Sequence, residues 1–543
     1  MRSRDISAIA AREHDILVIG GGIYGLAIAH DAASRGLSVA LVERGDFASA
    51  TSFNHQKTAH GGLRTLQTGR LGASRDAIRE RRALARMAPR LLRPLPFIVG
   101  TYRSAIRSRL ALRAAFRIDA WLGRDRNEGV EPELHLPAAR LVSKAATLKL
   151  FPGVRQEGLT GGAMWYDYQI IETDRLAIAV AAGADAHGAR LANYVEAVEP
   201  IRDKGAIRGM RVRDVLTGDA HDVAARLTIN AAGAFAGEIM RQFGVAQELL
   251  LLQAMNLVTS LPASDIAVAA PARDGRMLTL TPWHGRALVG TAQSATFRQP
   301  GDCPPTGDEV DAFIRDINEV FPRLALRRDH ITLVHCGIVP AQRGHGGRPD
   351  LLAAPLILDH AATGAPGSMT VIGVKYTTAR GVAARVVNAA ARRLGRSIPP
   401  SRTGGAPLPG AGIADHEALA IETARAVGLE LAPPMIRHLT SLYGDRCGAI
   451  IRLMAEHTEW RIPLVPGQLT VGAEAIYVIR EEMACTLADI VVRRTELGAE
   501  GKPPDAIIST IAAVAADELR WDRERVEREV TRVNAFYAQS ANG

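Results

Sequence analysis

The chain has 543 residues, of which 47% are hydrophobic and only 5% aromatic, so it can bury a large core built mostly from aliphatic side chains. Its formal net charge of +9 fits an anionic substrate, an anionic membrane surface or nucleic acid. Nucleic acid is the least favoured of these, because the sequence has no zinc finger or other nucleic-acid signature and little interleaving of aromatic with basic residues.

The cysteines predict a reduced protein of the cytoplasm. They are far apart and form no CxxC pair, so neither a disulfide framework nor a structural metal site is expected. Residues 1–14 lack the apolar core of a signal peptide, and no run of 18 apolar residues could span a bilayer. Membrane contact is therefore expected to be peripheral, on the inner face of the cell membrane. The four cysteines are Cys303, Cys336, Cys447 and Cys485.

The first predicted element is a buried strand, residues 16–19, that runs into a glycine turn and a helix over 26–34. The turn has the spacing Gly20-x-Gly22-x-x-Gly25, which lets a pyrophosphate approach the backbone at a helix N-terminus. Glu43 closes the next strand, 18 residues beyond Gly25, where a carboxylate can accept hydrogen bonds from ribose hydroxyls. The pattern predicts a dinucleotide site and leaves NAD and FAD both open.

A polar segment, residues 45–64, follows where a nicotinamide domain would begin its second helix. It mixes hydroxyl and small residues with Lys57, His60 and the pair Gly61-Gly62. Such a segment can lie along an extended cofactor and approach its reactive ring, although a surface loop with chance histidines is the alternative.

Two basic segments come next. Residues 74–93 predict a helix with a basic face, broken by Pro94 and Pro96. Residues 102–126 carry seven arginines interleaved with apolar residues. This second segment can lie on an anionic bilayer, and the alternative is a solvated helix face.

The rest of the chain up to residue 398 alternates strands with a few helices. Two further predicted strands end in small residues, at Asn230–Gly233 and at Gly373, so that backbone can again pass close to a ligand. A Pro- and Gly-rich linker is predicted at 399–412, followed by amphipathic helices. The predicted elements are strands at 164–171, 193–198, 227–230, 249–260, 277–293, 335–340 and 369–373, hairpin turns at Thr217-Gly218 and His284-Gly285, a flexible loop at 342–350, and helices at 175–187, 308–321, 378–394, 415–428, 433–443, 446–457, 472–496 and 504–535.

With these motifs in place, the chain resembles the FAD-dependent glycerol-3-phosphate dehydrogenase family, within the glycine-oxidase-like flavoproteins. The HGGLR box and the Thr-Leu-x-Asp…Arg-Arg-Thr signature are the most specific motifs. The residues that carry the resemblance are Gly20–Gly25, Thr51-Ser52, Lys57, His60–Arg64, Tyr166-Asp167, Asp174–Leu176, Asn230–Gly233, Lys375–Arg380, Tyr443-Gly444, Glu474 and Glu482–Thr495.

The resemblance implies an α/β fold in three parts: a Rossmann-like FAD-binding domain, an antiparallel or mixed-sheet substrate domain and a C-terminal all-α domain. The FAD-binding domain is expected at about 14–75, 150–245 and 330–398. The substrate domain is expected in between, at 76–149 and 246–329, and the helical domain at 413–543.

The implied reaction is oxidation of sn-glycerol 3-phosphate to dihydroxyacetone phosphate, with hydride passing to the flavin and electrons to a membrane quinone; a homodimer is a further expectation. The implied catalytic residues are His60, Arg64 and Lys375. The implied substrate-binding residues are Arg64, Asn256, Arg343, Lys375 and Thr377. The implied FAD-binding residues are Gly20, Gly22, Ile23, Gly25, Glu43, Arg44, Thr51, Ser52, Lys57, His60, Gly61, Gly62, Leu63, Val195, Ala231, Gly233, Gly337, Lys375, Tyr376 and Thr377.

Three departures from the family pattern concern the substrate. Val339 stands where the family has an arginine, and a second family arginine falls near Ala353-Ala354. Asn256 stands where the family has a histidine beside the flavin. The same flavin chemistry on another polyol phosphate, a hydroxy acid or an amine is therefore the alternative function, and a non-catalytic flavoprotein scaffold is a third.

Overall fold

The computed structural model describes residues 4–63, 69–103, 109–412 and 415–542, which form two large β-sheets and a helical C-terminal domain. The strands of the first sheet are β1 (His14–Ile19), β2 (Val39–Val42), β7 (Arg190–Ala192), β8 (Val195–Asp203), β9 (Ala206–Asp214), β10 (Ala220–Asn230), β17 (Leu356–Asp359) and β18 (Ser368–Ile372). Those of the second are β3 (Thr58–Ala59), β4 (Leu92–Tyr102), β5 (Arg140–Val142), β6 (Leu159–Ile170), β11 (Leu251–Pro262), β12 (Ala267–Pro271), β13 (Met277–Trp283), β14 (Arg286–Gln293), β15 (Ile331–Arg343) and β16 (Pro349–Leu351).

The helices occupy both the sheet-bearing part and the C-terminal domain. They are α1 (Ile6–Ala10), α2 (Ile23–Ser34), α3 (Leu71–Met87), α4 (Arg109–Leu122), α5 (Lys144–Leu150), α6 (Thr173–Ala186), α7 (Ala236–Gln242), α8 (Gly307–Val320), α9 (Ala379–Leu394), α10 (His416–Ala426), α11 (Pro433–Tyr443), α12 (Cys447–Glu456), α13 (Gly472–Glu482), α14 (Asp505–Leu519) and α15 (Arg523–Asn542).

The first sheet has a parallel centre in the order β18-β10-β1-β2-β7, with β17 antiparallel at one edge. Such strands need cover on both faces. One core cluster contains residues of α2, α6 and α9, and another contains residues of α1, α7 and the β8–β9 pair. The carboxyl ends of β1, β2, β10 and β18 meet at one edge, where ligands bind in sheets of this kind. This confirms the predicted Rossmann-like part.

The second sheet is antiparallel except where β12 runs parallel to β4, which confirms the predicted mixed-sheet part. Helix α8 packs on one face through Val310, Phe313 and Ile317. The other face joins the core of the C-terminal domain. Strands β6 and β15 lie in ranges that the sequence assigns to the FAD-binding part, so the second sheet draws strands from both predicted parts.

The predicted helix over 74–93 is wrong at its C-terminal end, because α3 stops at Met87 and both Pro94 and Pro96 lie inside β4. Strand β4 pairs with β6 along its whole length, but with β12 only at residues 97–99. A proline has no N–H to donate, so it is tolerated where one side of a strand is unpaired. The region around Pro94 is such an edge.

The C-terminal domain is helical, as expected, but two of its predicted helices are interrupted. The predicted helix 472–496 breaks after α13 at Met483, and the predicted helix 504–535 breaks after α14 at Arg520; both residues have a φ of +55°. Residues 489–494 form a short π-helical turn instead. The predicted loop at 342–350 is also more ordered than expected, since β16 pairs with the end of β15.

The expectation of four reduced cysteines is wrong in the structure, where Cys303 and Cys336 form a disulfide. Cys336 lies on β15 and Cys303 on the segment before α8, with Cα atoms 6.3 Å apart and a sequence separation of 33 positions. No short-range sequence motif marks this pair. The fold of the second sheet brings the two segments together. Cys447 and Cys485 are free.

Candidate functional site

The glycine turn after β1 leaves backbone exposed to a ligand because side chains do not fit there. A Cβ on Gly25 would overlap the carbonyl oxygen of Gly20, and Gly20 itself has a φ of +105°. A Cβ on Gly20 would lie 2.7 Å from the Ala231 carbonyl oxygen, so the Asn230–Gly233 segment passes close to this turn. At the start of α2, the Ile23 N–H donates to Ser52 Oγ at 3.0 Å. These residues form a cradle that fits the pyrophosphate of a dinucleotide.

Glu43, the residue expected to bind the adenosine ribose, lies beside this glycine turn. Its carboxylate accepts hydrogen bonds from the backbone N–H groups of Gly21 at 2.6 Å and Gly45 at 2.8 Å. Burial raises the pKa of Glu43 despite these two bonds. The Val195 N–H donates to the Glu43 carbonyl at 2.7 Å, which brings the predicted adenine-facing residue alongside. The Arg44 guanidinium stacks on Phe235, 3.6 Å from the ring centre, just past Gly233.

The segment 51–57 leads from this cradle towards the second sheet. Thr51 Oγ1 donates to the Ile338 carbonyl at 2.8 Å, and a Cβ on Gly337 would lie 3.1 Å from the Thr51 side chain, so Gly337 lets β15 approach the segment. Lys57 differs from the expectation that it lines the flavin. Its ammonium is buried and donates to the Phe53 carbonyl and to Thr173 Oγ1, both at 2.9 Å.

His60 is the centre of a hydrogen-bonded cluster, and half of its side chain is exposed. Its Nε2 lies 2.7 Å from Thr58 Oγ1, and its Nδ1 lies 3.3 Å from Asp167 Oδ2. Its backbone N–H donates to Thr377 Oγ1 at 3.2 Å. The segments around His60 and Thr377, 317 residues apart, are thereby joined as the sequence predicts.

Asp167 is the buried carboxylate that holds this cluster together. It is not among the site residues predicted from the sequence. Its Oδ1 accepts from the Gly61 N–H at 2.6 Å and from Arg81, and its Oδ2 accepts from Trp165 Nε1 at 3.2 Å. Burial by itself raises the pKa of Asp167, but Arg81 and His60 outweigh burial and lower it. A buried carboxylate held in this way stays ionised beside His60.

Lys375 lies between β18 and α9 on an exposed turn, where a cation can meet an anionic substrate. Tyr24 fixes the backbone of this turn, since its hydroxyl donates to the Lys375 carbonyl at 2.8 Å and accepts from the Lys375 N–H at 3.2 Å. Tyr24 therefore joins α2 to the segment of Lys375, Tyr376 and Thr377, another contact that the sequence did not indicate. The Tyr376 hydroxyl donates to the Thr173 carbonyl at 3.2 Å.

The structure does not bring every predicted residue to this cluster. Arg64 lies outside the described residues, next to Leu63. Arg343 lies six residues beyond Gly337 on β15, or about 20 Å along a strand, and its guanidinium stacks on Phe297. Asn256 is buried and accepts a hydrogen bond from Thr291 Oγ1 at 2.7 Å.

A second polar cluster joins the sheet to the C-terminal domain. His284, at the turn between β13 and β14, lies 2.5 Å from Glu172 Oε1 and 3.7 Å from Glu500 Oε1. Glu496 belongs to the same group: one carboxylate oxygen each of Glu172 and Glu496 and one ring nitrogen of His284 all lie within 4.8 Å of one another. The short contact between His284 and Glu172 identifies this group as an ion-pair network, which we call the His284 clasp.

Comparison with known proteins agrees with this geometry. The family model for FAD-dependent oxidoreductases matches residues 15–373, and the model for the C-terminal domain of alpha-glycerophosphate oxidase matches residues 401–526. A glycerol-3-phosphate dehydrogenase of Synechocystis is 30% identical over 99% of this chain and 98% of its own length. One from Mycobacterium leprae is 31% identical over 96% of this chain and 88% of its own length.

A solved structure supports the fold. The glycerol-3-phosphate dehydrogenase of Bacillus halodurans, complexed with FAD, aligns over 99% of this chain and 97% of its own length, with a TM-score of 0.76 and 24% identity. The glycine turn and the Glu43 carboxylate beside it fit the cofactor of this family. The chain belongs to the FAD-dependent oxidoreductase family, in the group of FAD-dependent glycerol-3-phosphate dehydrogenases.

Proposed function

We propose that the protein oxidises sn-glycerol 3-phosphate to dihydroxyacetone phosphate. The observation that carries this proposal is the position of His60, half exposed and held between Asp167, Thr58 and the Thr377 segment. When bound, FAD supplies the hydride acceptor for the secondary alcohol carbon. The names of the relatives support the choice of substrate.

His60 is the group placed to take the hydroxyl proton of the substrate. Its Nδ1 faces the ionised Asp167, which fixes the ring and stabilises the imidazolium that forms on proton transfer. Its Nε2 bonds to the hydroxyl of Thr58, so the substrate proton reaches the ring through that hydroxyl, which passes its own proton to Nε2 as it accepts the one from the substrate. Lys375 provides a positive charge on the exposed turn beside this group, which suits the negative charge that develops on the substrate oxygen.

The alternative substrate classes rest on Val339, on the uncharged pair Ala353-Ala354 and on Asn256. Arg70 Nη1 donates to the Ala353 carbonyl at 3.4 Å, which brings a guanidinium beside Ala353-Ala354. Arg70 is thus a candidate for part of the missing charge, and it favours a phosphorylated polyol over an amine. A guanidinium is suited to phosphate oxygens.

Anaerobic addition of glycerol 3-phosphate to the purified flavoprotein tests the proposal. We expect the visible flavin absorbance to bleach, and we expect His60→Gln to slow this bleaching by about 100-fold while the flavin stays bound. Unphosphorylated glycerol is the matched control for the phosphate. A flavin that stays oxidised with glycerol 3-phosphate but bleaches with a hydroxy acid or an amine would contradict the proposal and support the alternative.

We propose further that the enzyme attaches to the anionic inner face of the cell membrane and passes its electrons to quinone. Helix α4 supports this, since Leu110, Ile118 and Trp121 are 77%, 43% and 64% exposed and share a face with Arg113 and Arg117. Apolar groups interspersed with arginine are typical of helices that lie in a membrane surface. Among the described residues, no helix is long and apolar enough to cross a membrane.

Flotation with phosphatidylglycerol vesicles at low salt tests the attachment. We expect the wild-type protein to float with the vesicles and the double variant Ile118→Glu, Trp121→Glu to stay at the bottom. Ile462→Glu is the control, because Ile462 is 65% exposed on the C-terminal domain, away from α4. A double variant that floats like the wild type would rule out α4 as the attachment surface.

A further inference from the structure

Asp46, three residues after Glu43, is bound by two arginines of the C-terminal domain. Arg494 donates to both of its carboxylate oxygens at 2.7 Å, and Arg493 Nε donates to Oδ2 at 2.8 Å. The Asp46 side chain has no exposure to solvent. Burial alone raises the pKa of Asp46, but the two guanidinium groups outweigh burial and lower it to about 2. The C-terminal domain thus holds the segment beside Glu43 through a charged, fully buried contact.

The segment 43–46 is also tied to residues 193–195, and together they form the wall of the adenosine end of the cradle. The Tyr194 N–H donates to the Gly45 carbonyl at 2.9 Å, next to the bond from Val195 to Glu43. Asn193 Nδ2 donates to Asp46 Oδ1 at 3.1 Å. Because backbone hydrogen bonds connect the two segments, a contact that fixes the position of one also fixes the position of the other.

The C-terminal domain reaches this wall at a second point, Tyr194. The Tyr194 hydroxyl donates to Asp489 Oδ1 at 2.6 Å and lies 3.1 Å from Thr486 Oγ1. Tyr194 has a φ of +55°, which bulky residues rarely adopt and which surrounding contacts must maintain. Arg493 also binds Asp489, so both points belong to one network.

We propose that Asp46, Asp489, Arg493 and Arg494 are positioning residues for the adenosine half of FAD. They hold the backbone of 43–46 and 193–195 in the geometry that binds adenosine, and they act through that backbone because they lie behind it. The Thr-Leu-x-Asp…Arg-Arg-Thr signature of the helical domain thereby becomes part of the cofactor site. The inference rests on the assignment of Glu43 to the adenosine ribose.

The test uses apoprotein, with FAD affinity measured by quenching of flavin fluorescence and ADP affinity measured by competition. ADP carries the adenosine part without the flavin. We expect Asp46→Asn to weaken both FAD and ADP by about tenfold or more, the factor that corresponds to loss of a charged hydrogen bond. Tyr194→Phe keeps the ring, removes the bond to Asp489 and should weaken ADP by about threefold.

Asp31→Asn is the matched control, because Asp31 is equally buried and bonds to Arg35 and Thr403 at the far end of α2. It should lower the melting temperature and leave ADP affinity within about twofold of wild type. Unchanged ADP affinity in Tyr194→Phe, or equal weakening by Asp31→Asn, would overturn the proposal. Because ADP binding needs no catalysis, failure to oxidise glycerol 3-phosphate would count against the proposed function alone.

Discussion

Asp167 is the residue on which the proposed proton transfer depends most. We expect Asp167→Asn to slow flavin reduction by about 100-fold, because the amide cannot stabilise a protonated His60 and leaves Arg81 without its charged partner. Rapid mixing with glycerol 3-phosphate without oxygen measures the rate. Trp165→Phe is the control, since it removes one donor to Asp167 and keeps the carboxylate. If the asparagine variant reduces its flavin at the wild-type rate, Asp167 has no part in catalysis.

A methyl group added at Gly25 tests whether the glycine turn binds the cofactor. We expect Gly25→Ala to yield protein without bound flavin, because the added methyl group overlaps the Gly20 carbonyl and must displace the turn. The ratio of visible to ultraviolet absorbance after purification measures the bound flavin. Gly72→Ala is a matched control, because nothing lies within 4 Å of a Cβ at Gly72. A fully loaded Gly25→Ala protein would contradict the assignment of this turn to FAD.

Prediction from sequence worked at residues whose chemistry depends on local spacing. The glycine turn of Gly20, Gly22 and Gly25 follows from a motif that the sequence shows directly. The approach of His60 to Thr377 could be expected only from the resemblance to the family, because the two residues are 317 positions apart. Asp167 and Arg81 are 86 residues apart, and only the packing of α3 on β6 reveals them as partners. Arg81 belongs to the predicted basic face of helix 74–93, but the fold buries it.

At the scale of elements, the His284 clasp joins the turn between β13 and β14 to the C-terminal domain. Burial lowers the pKa of His284, but the bond to Glu172 and the charges of Glu496 and Glu500 outweigh burial and raise it. A histidine whose folded pKa is raised stabilises the protein fully below about pH 6.5, and this contribution is lost as the pH rises through the folded value.

We therefore expect the melting temperature of the wild type to exceed that of His284→Gln by on the order of 2 °C near about pH 6, and the difference to shrink towards about pH 8.5. Thermal unfolding of both proteins across this range measures it. His457→Gln is the control, because His457 pairs with Glu459 on the surface, where an ion pair contributes little. A difference in melting temperature that grows with pH would show that folding lowers the pKa of His284 instead of raising it.

The disulfide on β15 gives a chemical test at the same scale. We expect two thiols to react in denatured protein before reduction, and four after it, because Cys303 and Cys336 are bonded while Cys447 and Cys485 are free. Titration with a thiol reagent, with alkylation at lysis to prevent exchange, measures the count. Four reactive thiols before reduction would instead support the reduced protein that the sequence predicts.

Elements were predictable where one local signal dominated. The parallel strands β1 and β2 and the helix between them follow from apolar runs and glycines. Strand β4 was missed because it contains two prolines. A proline destabilises a strand only where its missing N–H would face a neighbouring strand, and a single sequence does not show which neighbours a strand has. Helix breaks at Met483 and Arg520 were missed because neither residue is a usual left-handed residue.

At the scale of the whole molecule, the net charge of +9 acts on a substrate that carries a phosphate. We expect kcat/KM for glycerol 3-phosphate to fall several-fold as ionic strength rises from about 0.02 to about 0.5 M, because salt screens the attraction of the anion. Steady-state kinetics with a soluble quinone analogue measures this, with kcat as the internal control. Equal falls in kcat and kcat/KM would indicate a salt effect on the enzyme itself.

The resemblance to the family predicted the three-part architecture, but the way the parts meet needed the structure. The same helical domain that reads as a separate module beyond a linker binds Asp46, four residues after β2, through Arg493 and Arg494. Leu408, inside the predicted linker, is itself buried in the core around α2. Contacts of this kind follow from the final arrangement of many elements and carry no signal in any short segment.

The contact between Asp46 and Arg494 also sets an order of events during protein synthesis. The two residues are 448 positions apart, so the ribosome must add most of the chain before Asp46 can meet its partner. Until then, the strands and the glycine turn can form, while the wall of the adenosine pocket lacks its support. Loading with FAD is therefore expected to be a late step, and chains truncated before the helical domain are expected to emerge without tightly bound flavin.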